Sequence, residues 1–224
     1  MLLSVSIIYK DKHICVIKKP VGMPSQSDPT GDTDALTDTK EALEKASDSS
    51  ALWLIHRLDR NVAGLLVFAR TRAAAAELSR LVSEGEMNKR YLAVCEGKGA
   101  EGELCDYLFK DSISNKSFVV SGARRGAKKA ITYSSLLGER EERSLLELDL
   151  KTGRFHQIRC QLASRKNPLV GDKKYGSRDA GARTPALFAY RLGFTVFGKK
   201  YEFCEMPDSG EYPWSTFKEE LEKI

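Results

Sequence analysis

Residues 4–9 and 14–18 are two short, mostly apolar runs of strand length joined by the polar turn Lys10-Asp11-Lys12-His13, which predicts a β-hairpin at the start of the chain. Pro20, Gly22, Pro24 and Pro29 then break any regular pattern, so this stretch is loop. Residues 35–46 predict a polar, exposed helix. Two apolar runs of strand length, 52–55 and 65–68, flank the segment from His56 to Asn61. That segment is too charged to be buried unpaired, so it forms a loop between core elements. Thr71 caps a helix predicted to reach Glu84, with Ala74, Leu78, Leu81 and Val82 on one face and Gly85 as its stop.

Strand-length runs recur at 90–96, 103–109, 117–120, 130–137 and 145–150, joined by short glycine-containing or charged turns, as in an antiparallel meander. After Gly153 the period becomes helical through Ser164. A 3.6-residue repeat puts Phe155, Ile158 and Leu162 on one face, with Arg159 about 40° around from Phe155 at the rim of the core. A glycine-rich loop, more strand over 186–203 and a terminal helix from Trp214 complete the pattern. The expected architecture is α+β, a mixed, mainly antiparallel sheet flanked by helices and loops, with residues 1–224 as a single domain.

Composition narrows the class. Hydrophobic residues make up 42% and charged residues 30%, the balance of a water-exposed globular protein, and no apolar tract is long enough for a bilayer. The start shows no charged region followed by an apolar block, so a cytoplasmic location is expected. Cys15, Cys95, Cys105, Cys160 and Cys204 are odd in number and dispersed, which suits reduced, mostly buried thiols rather than a disulfide framework. The three histidines form no short metal-binding pattern, so chemistry without a metal or cofactor is expected. A net charge of +5 suits a polyanionic partner only weakly. The pairs Lys18-Lys19, Arg124-Arg125, Lys128-Lys129, Arg165-Lys166 and Lys173-Lys174 concentrate it, although any one pair alone reads as solvated loop.

Three residues stand out chemically. Asp59 lies between Arg57 and Arg60 in a loop bounded by apolar strands, where neighbouring arginine keeps its carboxylate ionised for nucleophilic or electrostatic work. Taken alone, the pentapeptide reads first as a surface ion pair. Arg159 offers a fixed fork of donors that holds a carboxylate in one orientation. Tyr91 shares one face of its strand with Ala93 and Cys95, where it either stacks on a base and exchanges a proton or simply packs in the core.

Five segments in order carry a resemblance: Lys19-Pro20-Val21-Gly22; His56-Arg57-Leu58-Asp59-Arg60 followed by Gly64-Leu65-Leu66-Val67-Phe68-Ala69-Arg70; Lys89-Arg90-Tyr91-Leu92-Ala93; Gly153-Arg154-Phe155-His156-Gln157-Ile158-Arg159; and the run from Pro168 to Gly176. Together they resemble the RluA family of RNA pseudouridine synthases over nearly the whole chain. The resemblance implies the pseudouridine synthase catalytic fold, with Asp59 as the catalytic aspartate and Tyr91 stacked on the target base, assisting loss of its C5 proton. It also implies that Arg159 pairs with Asp59 and that Leu187 lines the base pocket. The implied partner is ribosomal or transfer RNA, bound by a monomer without a cofactor, with His56, Arg57 and Arg60 beside the target nucleotide. Arg57, Arg60, Arg124, Arg125, Lys128 and Lys129 are the candidate phosphate contacts.

This sequence departs from the family pattern at three places: Val62-Ala63 stands for a threonine-serine pair, Phe155 for threonine and Phe188 for histidine. Many members also carry an S4-like RNA-binding domain before the catalytic one. Here the first catalytic-domain strand begins within ten residues of Met1, so target choice is expected to rest with the catalytic domain. The alternatives are a non-catalytic RNA-binding protein on the same scaffold, and a nucleoside or glycoside hydrolase, which calls for a second carboxylate that the motifs do not supply.

Overall fold

The computed structural model describes residues 3–48 and 51–224. In chain order it has β1 (Ser6–Lys10), β2 (Ile14–Lys19), α1 (Ala35–Lys45), β3 (Trp53–Leu54), β4 (Ala63–Ala69) and α2 (Arg72–Glu84). The meander follows as β5 (Asn88–Glu96), β6 (Gly102–Asp111), β7 (Lys116–Val120), β8 (Lys128–Arg140) and β9 (Arg143–Leu150). The chain ends with α3 (Gln157–Ser164), β10 (Leu187–Val196), β11 (Lys199–Cys204) and α4 (Lys218–Leu221). The class is α+β, with antiparallel strand pairing throughout the registered ladders.

Contacts divide the chain into two compact units, each discontinuous in sequence. The first comprises the residues up to Asn88 together with Ala189–Glu205, and the second comprises Lys89–Phe188 with Met206–Ile224.

In the first unit β2 lies between β1 and β4, with Val16 opposite Val67 and Ile17 opposite Leu66. Every residue of β4 is buried, and on one of its faces α2 lays Ala74, Leu78 and Leu81 against Ile14, Val16, Leu65 and Val67. Each leucine, isoleucine or valine among them contributes about 1.5–3 kcal/mol on burial. The ends of α2 follow the local code: Thr71 accepts a hydrogen bond from the Ala74 amide at 3.1 Å, and Gly85 closes the helix in the left-handed conformation at φ 75°. At the start of β4, Gly64 adopts φ 122°, and a Cβ there would stand 2.3 Å from the Ala189 carbonyl oxygen. Only glycine permits that approach.

The second unit is a five-stranded sheet in the order β5-β9-β8-β6-β7. Its helix α3 packs on β6 and β7, burying Cys160 with Leu108, Ala130 and Tyr175. Two glutamines fasten it. Gln157 donates to the Ile131 carbonyl and the Thr132 hydroxyl, and Gln161 donates to the Leu104 carbonyl while accepting from Thr132.

Four expectations change. α3 begins only at Gln157, because His156 takes a left-handed conformation at φ 51°, so Phe155 is not on the helix and its predicted face does not apply. The strand pattern over 186–203 folds into the β10–β11 hairpin, turning at Phe197 and Gly198, both with positive φ. Lys128 and Lys129 start β8 instead of lying in a loop. The terminal helix splits into a 3-10 turn, Trp214–Phe217, and the four-residue α4. All five thiols are free; Cys15, Cys95 and Cys160 are buried, while Cys105 and Cys204 are exposed. Among the described residues no helix is long and apolar enough to cross a membrane, and no acidic, histidine or cysteine cluster suits a metal ion.

Candidate active site

Asp59 occupies the loop between β3 and β4, and the first unit grips that loop by its backbone. Buried Leu58 anchors it from within: Ser25 Oγ donates to the Leu58 carbonyl at 2.8 Å and accepts from the Leu58 amide at 3.0 Å. The Val62 amide closes a turn onto the Asp59 carbonyl at 3.0 Å. Lys19, fully buried at the end of β2, donates to the carbonyls of Pro20, Met23 and Arg60 at 2.9, 2.7 and 3.1 Å. Three acceptors match the three N–H bonds of an ammonium. Burial pushes the Lys19 pKa down to about 7; the Asp59 carboxylate opposes that shift and the Arg60 charge adds to it. A backbone held at this many points fixes where the Asp59 carboxylate starts, which is what positional catalysis requires.

The arginines flanking Asp59 behave differently. Arg57 is exposed. Arg60 donates to the carboxylates of Asp28 and Asp32 and to the Thr30 hydroxyl, tying the proline-rich loop to the Asp59 loop. Hydrogen bonds from Thr30 and then Arg60 pull the Asp28 carboxyl down to about 2. In this structure the Arg60 fork faces two carboxylates and fastens the two loops to each other. His56 is half-buried at the head of the same loop.

Tyr91, Arg159 and Leu187 belong to the second unit. Tyr91 is buried in β5, opposite Leu148 of β9. Arg159 is buried on α3 and forms a two-bond fork with Asp172, Nε to Oδ2 at 2.7 Å and Nη2 to Oδ1 at 2.9 Å. Its guanidinium also lies 5.1 Å from the centre of the Tyr175 ring. Tyr175 is held in turn, since its hydroxyl accepts from the Ser117 amide at 2.8 Å and meets His156 Nδ1 at 3.1 Å. Burial, reinforced by the Arg159 charge, depresses the His156 pKa to about 3, so the imidazole is neutral at physiological pH. Phe155 stacks on His156 with ring centres 3.8 Å apart, and the Lys110 ammonium sits 4.4 Å from the Phe155 ring. Leu187 is buried at the start of β10.

A model of the RNA pseudouridylate synthase family matches residues 13–164, well over half of the chain. The chain belongs to that family. The RluA-type resemblance of its motifs agrees with its relatives. A ribosomal large subunit pseudouridine synthase D of Zymomonas mobilis is 29% identical over 223 residues, covering 92% of this chain and 70% of that protein. An uncharacterised RNA pseudouridine synthase of Bacillus subtilis is 31% identical, covering 84% of this chain and 63% of that protein. A large subunit pseudouridine synthase D of Neisseria meningitidis is 30% identical, covering 93% of this chain and 56% of its own length. The chain thus spans a little over half to about two thirds of its curated relatives. The structure of human RNA pseudouridylate synthase domain containing 4 shares the fold, with a TM-score of 0.76 and 22% identity over 97% of this chain and 93% of that one.

Within a pseudouridylate synthase of this kind the remaining basic candidates fall in one region of the second unit. Arg124 and Arg125 lie in the exposed turns between β7 and β8, and Lys128 and Lys129 are the exposed first residues of β8. The Arg124 guanidinium is 3.9 Å from the centre of the Phe109 ring. Sequence reasoning assigned no role to Lys19, Asp172 or Tyr175. All three lie in the segments that carry the family resemblance, which was the available signal.

Proposed function

We propose that this protein isomerises selected uridines of ribosomal or transfer RNA to pseudouridine, in the cytoplasm and as a single catalytic domain. The observation that carries the reading is the Asp59 loop, pinned by Lys19 and Ser25 and embedded in the matched family segment. The target uridine leaves its stack, and basic side chains hold the neighbouring phosphates. Asp59 assists cleavage of the bond between N1 and C1′, either by attack at C1′ or by taking the 2′ proton. The freed uracil anion turns and bonds to C1′ through C5; this expels the Asp59 carboxylate or, on the other route, takes back the 2′ proton from it. The C5 proton is then lost with help from Tyr91, and N1 takes up a proton. Arg159, oriented by its two-bond fork with Asp172, contributes a fixed cation to the reaction. Leu187 contributes an apolar wall for the base. His56 and Arg57 lie on the Asp59 loop and act on the flipped nucleotide and its phosphates. No redox step or group donor is involved, because product and substrate have the same atoms.

The deciding experiment incubates the protein with total RNA lacking the modification and maps pseudouridine at single-base resolution, with Asp59→Asn alongside. Wild type produces pseudouridine at discrete positions, and the variant loses at least about 10³-fold in rate. RNA binding without product in wild type overturns the reading, and release of free uracil replaces it with hydrolysis.

A further inference from the structure

The sheet of the second unit has two unlike faces where β6, β7 and β8 run together. Leu104 and Leu108 point to one side, where Leu108 packs with Cys160 of α3 and with Tyr175. The alternate residues Glu103, Cys105, Tyr107 and Phe109 point to the other side, and directly paired residues of antiparallel strands share a face. Tyr107 is opposite Lys129 and Val120, Phe109 is opposite Phe118, and Glu103 is opposite Tyr133. This second face is therefore aromatic and open: Tyr107 is 41%, Phe118 42% and Tyr133 44% exposed.

Cations accompany the rings. Arg124 lies 3.9 Å from the Phe109 ring centre, Lys116 5.5 Å from that of Phe118, and Lys151 5.8 Å from that of Tyr133. Lys129 is the cross-strand neighbour of Tyr107. Gly122, in the turn that carries Arg124, rests against the Tyr107 ring so closely that a Cβ would lie 2.9 Å from it. Three carboxylates share the region. Asp149 is held by Lys151 at 2.7 Å, Asp111 accepts from the Ile113 amide and the Ser114 hydroxyl in its own turn, and Glu103 stands beside Tyr133. The balance favours an anionic partner that also has flat rings.

We infer that this face is a second RNA-binding platform, on which two or three unpaired nucleobases stack against Tyr107, Phe118 and Tyr133 while Arg124 and Lys129 hold the adjoining phosphates. Exposed rings on an antiparallel sheet are a general solution for single-stranded RNA, because every base has a face to stack and the cations follow the backbone. Tyr133 is four residues along from Tyr107 on the neighbouring strand, about 14 Å at 3.4 Å per residue, a span for a short run of nucleotides. The platform lies on the side of the sheet turned away from α3, hence away from Arg159. It extends the proposed function, since it rests on RNA being the partner, and it gives the catalytic domain a means of selecting unpaired sequence beside a target.

The test uses the full chain and a fluorescein-labelled, unstructured RNA of twelve nucleotides, read by anisotropy. Tyr107→Ala with Tyr133→Ala raises Kd at least about tenfold, whereas Tyr107→Phe with Tyr133→Phe stays within about twofold. Should the alanine variant fail to fold, ultraviolet cross-linking of wild type to the same RNA carrying 4-thiouridine decides instead, with cross-links expected in the peptides that contain Tyr107, Phe118 and Tyr133. Equal binding by folded alanine variant and wild type overturns the platform, as do cross-links confined elsewhere. A wild-type dimer that the alanine variant dissolves without change in RNA affinity overturns it too, making the face a contact between copies. Platform binding without pseudouridine formation sinks the activity reading alone, and pseudouridine formation with unaltered alanine-variant binding sinks the platform alone.

Discussion

Arg159 and Asp172 meet in a two-bond fork with their side chains 7% and 1% exposed, so each is the other's solvent. Removing one partner of such a pair strands the other charge. Asp172→Ala is expected to lower stability by about 3–5 kcal/mol. Arg159→Lys, which keeps the charge but loses the planar fork, should recover little of either stability or activity. Urea unfolding of the two variants checks this, and a loss below about 1 kcal/mol for Asp172→Ala would show that the pair is not structural.

His156 gives a pH dependence with a definite sign. Its pKa is about 3 in the fold and 6.5 when unperturbed, so between those values the unfolded chain binds the extra proton. Stability from the neutral imidazole is thus complete above pH 6.5 and declines as pH falls toward 3. His156→Gln should show a flatter stability profile than wild type between pH 7 and pH 5 in denaturant titrations. Parallel profiles would remove His156 as the origin.

Lys19 anchors three carbonyls around the Asp59 loop. Lys19→Met keeps the length of the side chain and leaves those acceptors buried without their donor, a change expected to cost about 2–4 kcal/mol. Faster hydrogen exchange at the Gly22 and Val62 amides should accompany it, since both donate within the gripped loop. Unchanged exchange at both would confine Lys19 to a general packing role.

Gly64→Ala is a severe single-methyl change. The new Cβ meets the Ala189 carbonyl oxygen at 2.3 Å on a residue with φ 122°, so both crowding and backbone conformation oppose it. A loss of at least about 3 kcal/mol, or failure to fold, is expected in expression and thermal unfolding. By contrast Gly31→Ala has nothing within 4 Å and faces only the backbone penalty of φ 74°.

The parts of this protein legible in sequence are those governed by neighbours three or four residues away. Thr71 and Gly85 define α2 because a cap acts within a turn, and the alternation of β6 is visible because successive side chains oppose each other. α3 starts later than its 3.6-residue period implies because the left-handed His156 has no compositional mark. The β10–β11 turn is hidden in sequence for a similar reason: its first positive-φ residue is Phe197, where asparagine or glycine is the usual sign.

The sequence by itself determined the family, the order of the motifs and the location of Asp59 in a loop between two core strands, since these depend on residue identity and spacing. Only the tertiary structure decided which partners the charges take. Arg60 turns to Asp28 and Asp32, Arg159 to Asp172, and Lys19 to a carbonyl 41 residues away, because a charge removed from water takes whatever acceptor the fold brings within reach. The aromatic face likewise exists only through strand register, which pairs Phe109 with Phe118 and sets Tyr107 beside Lys129.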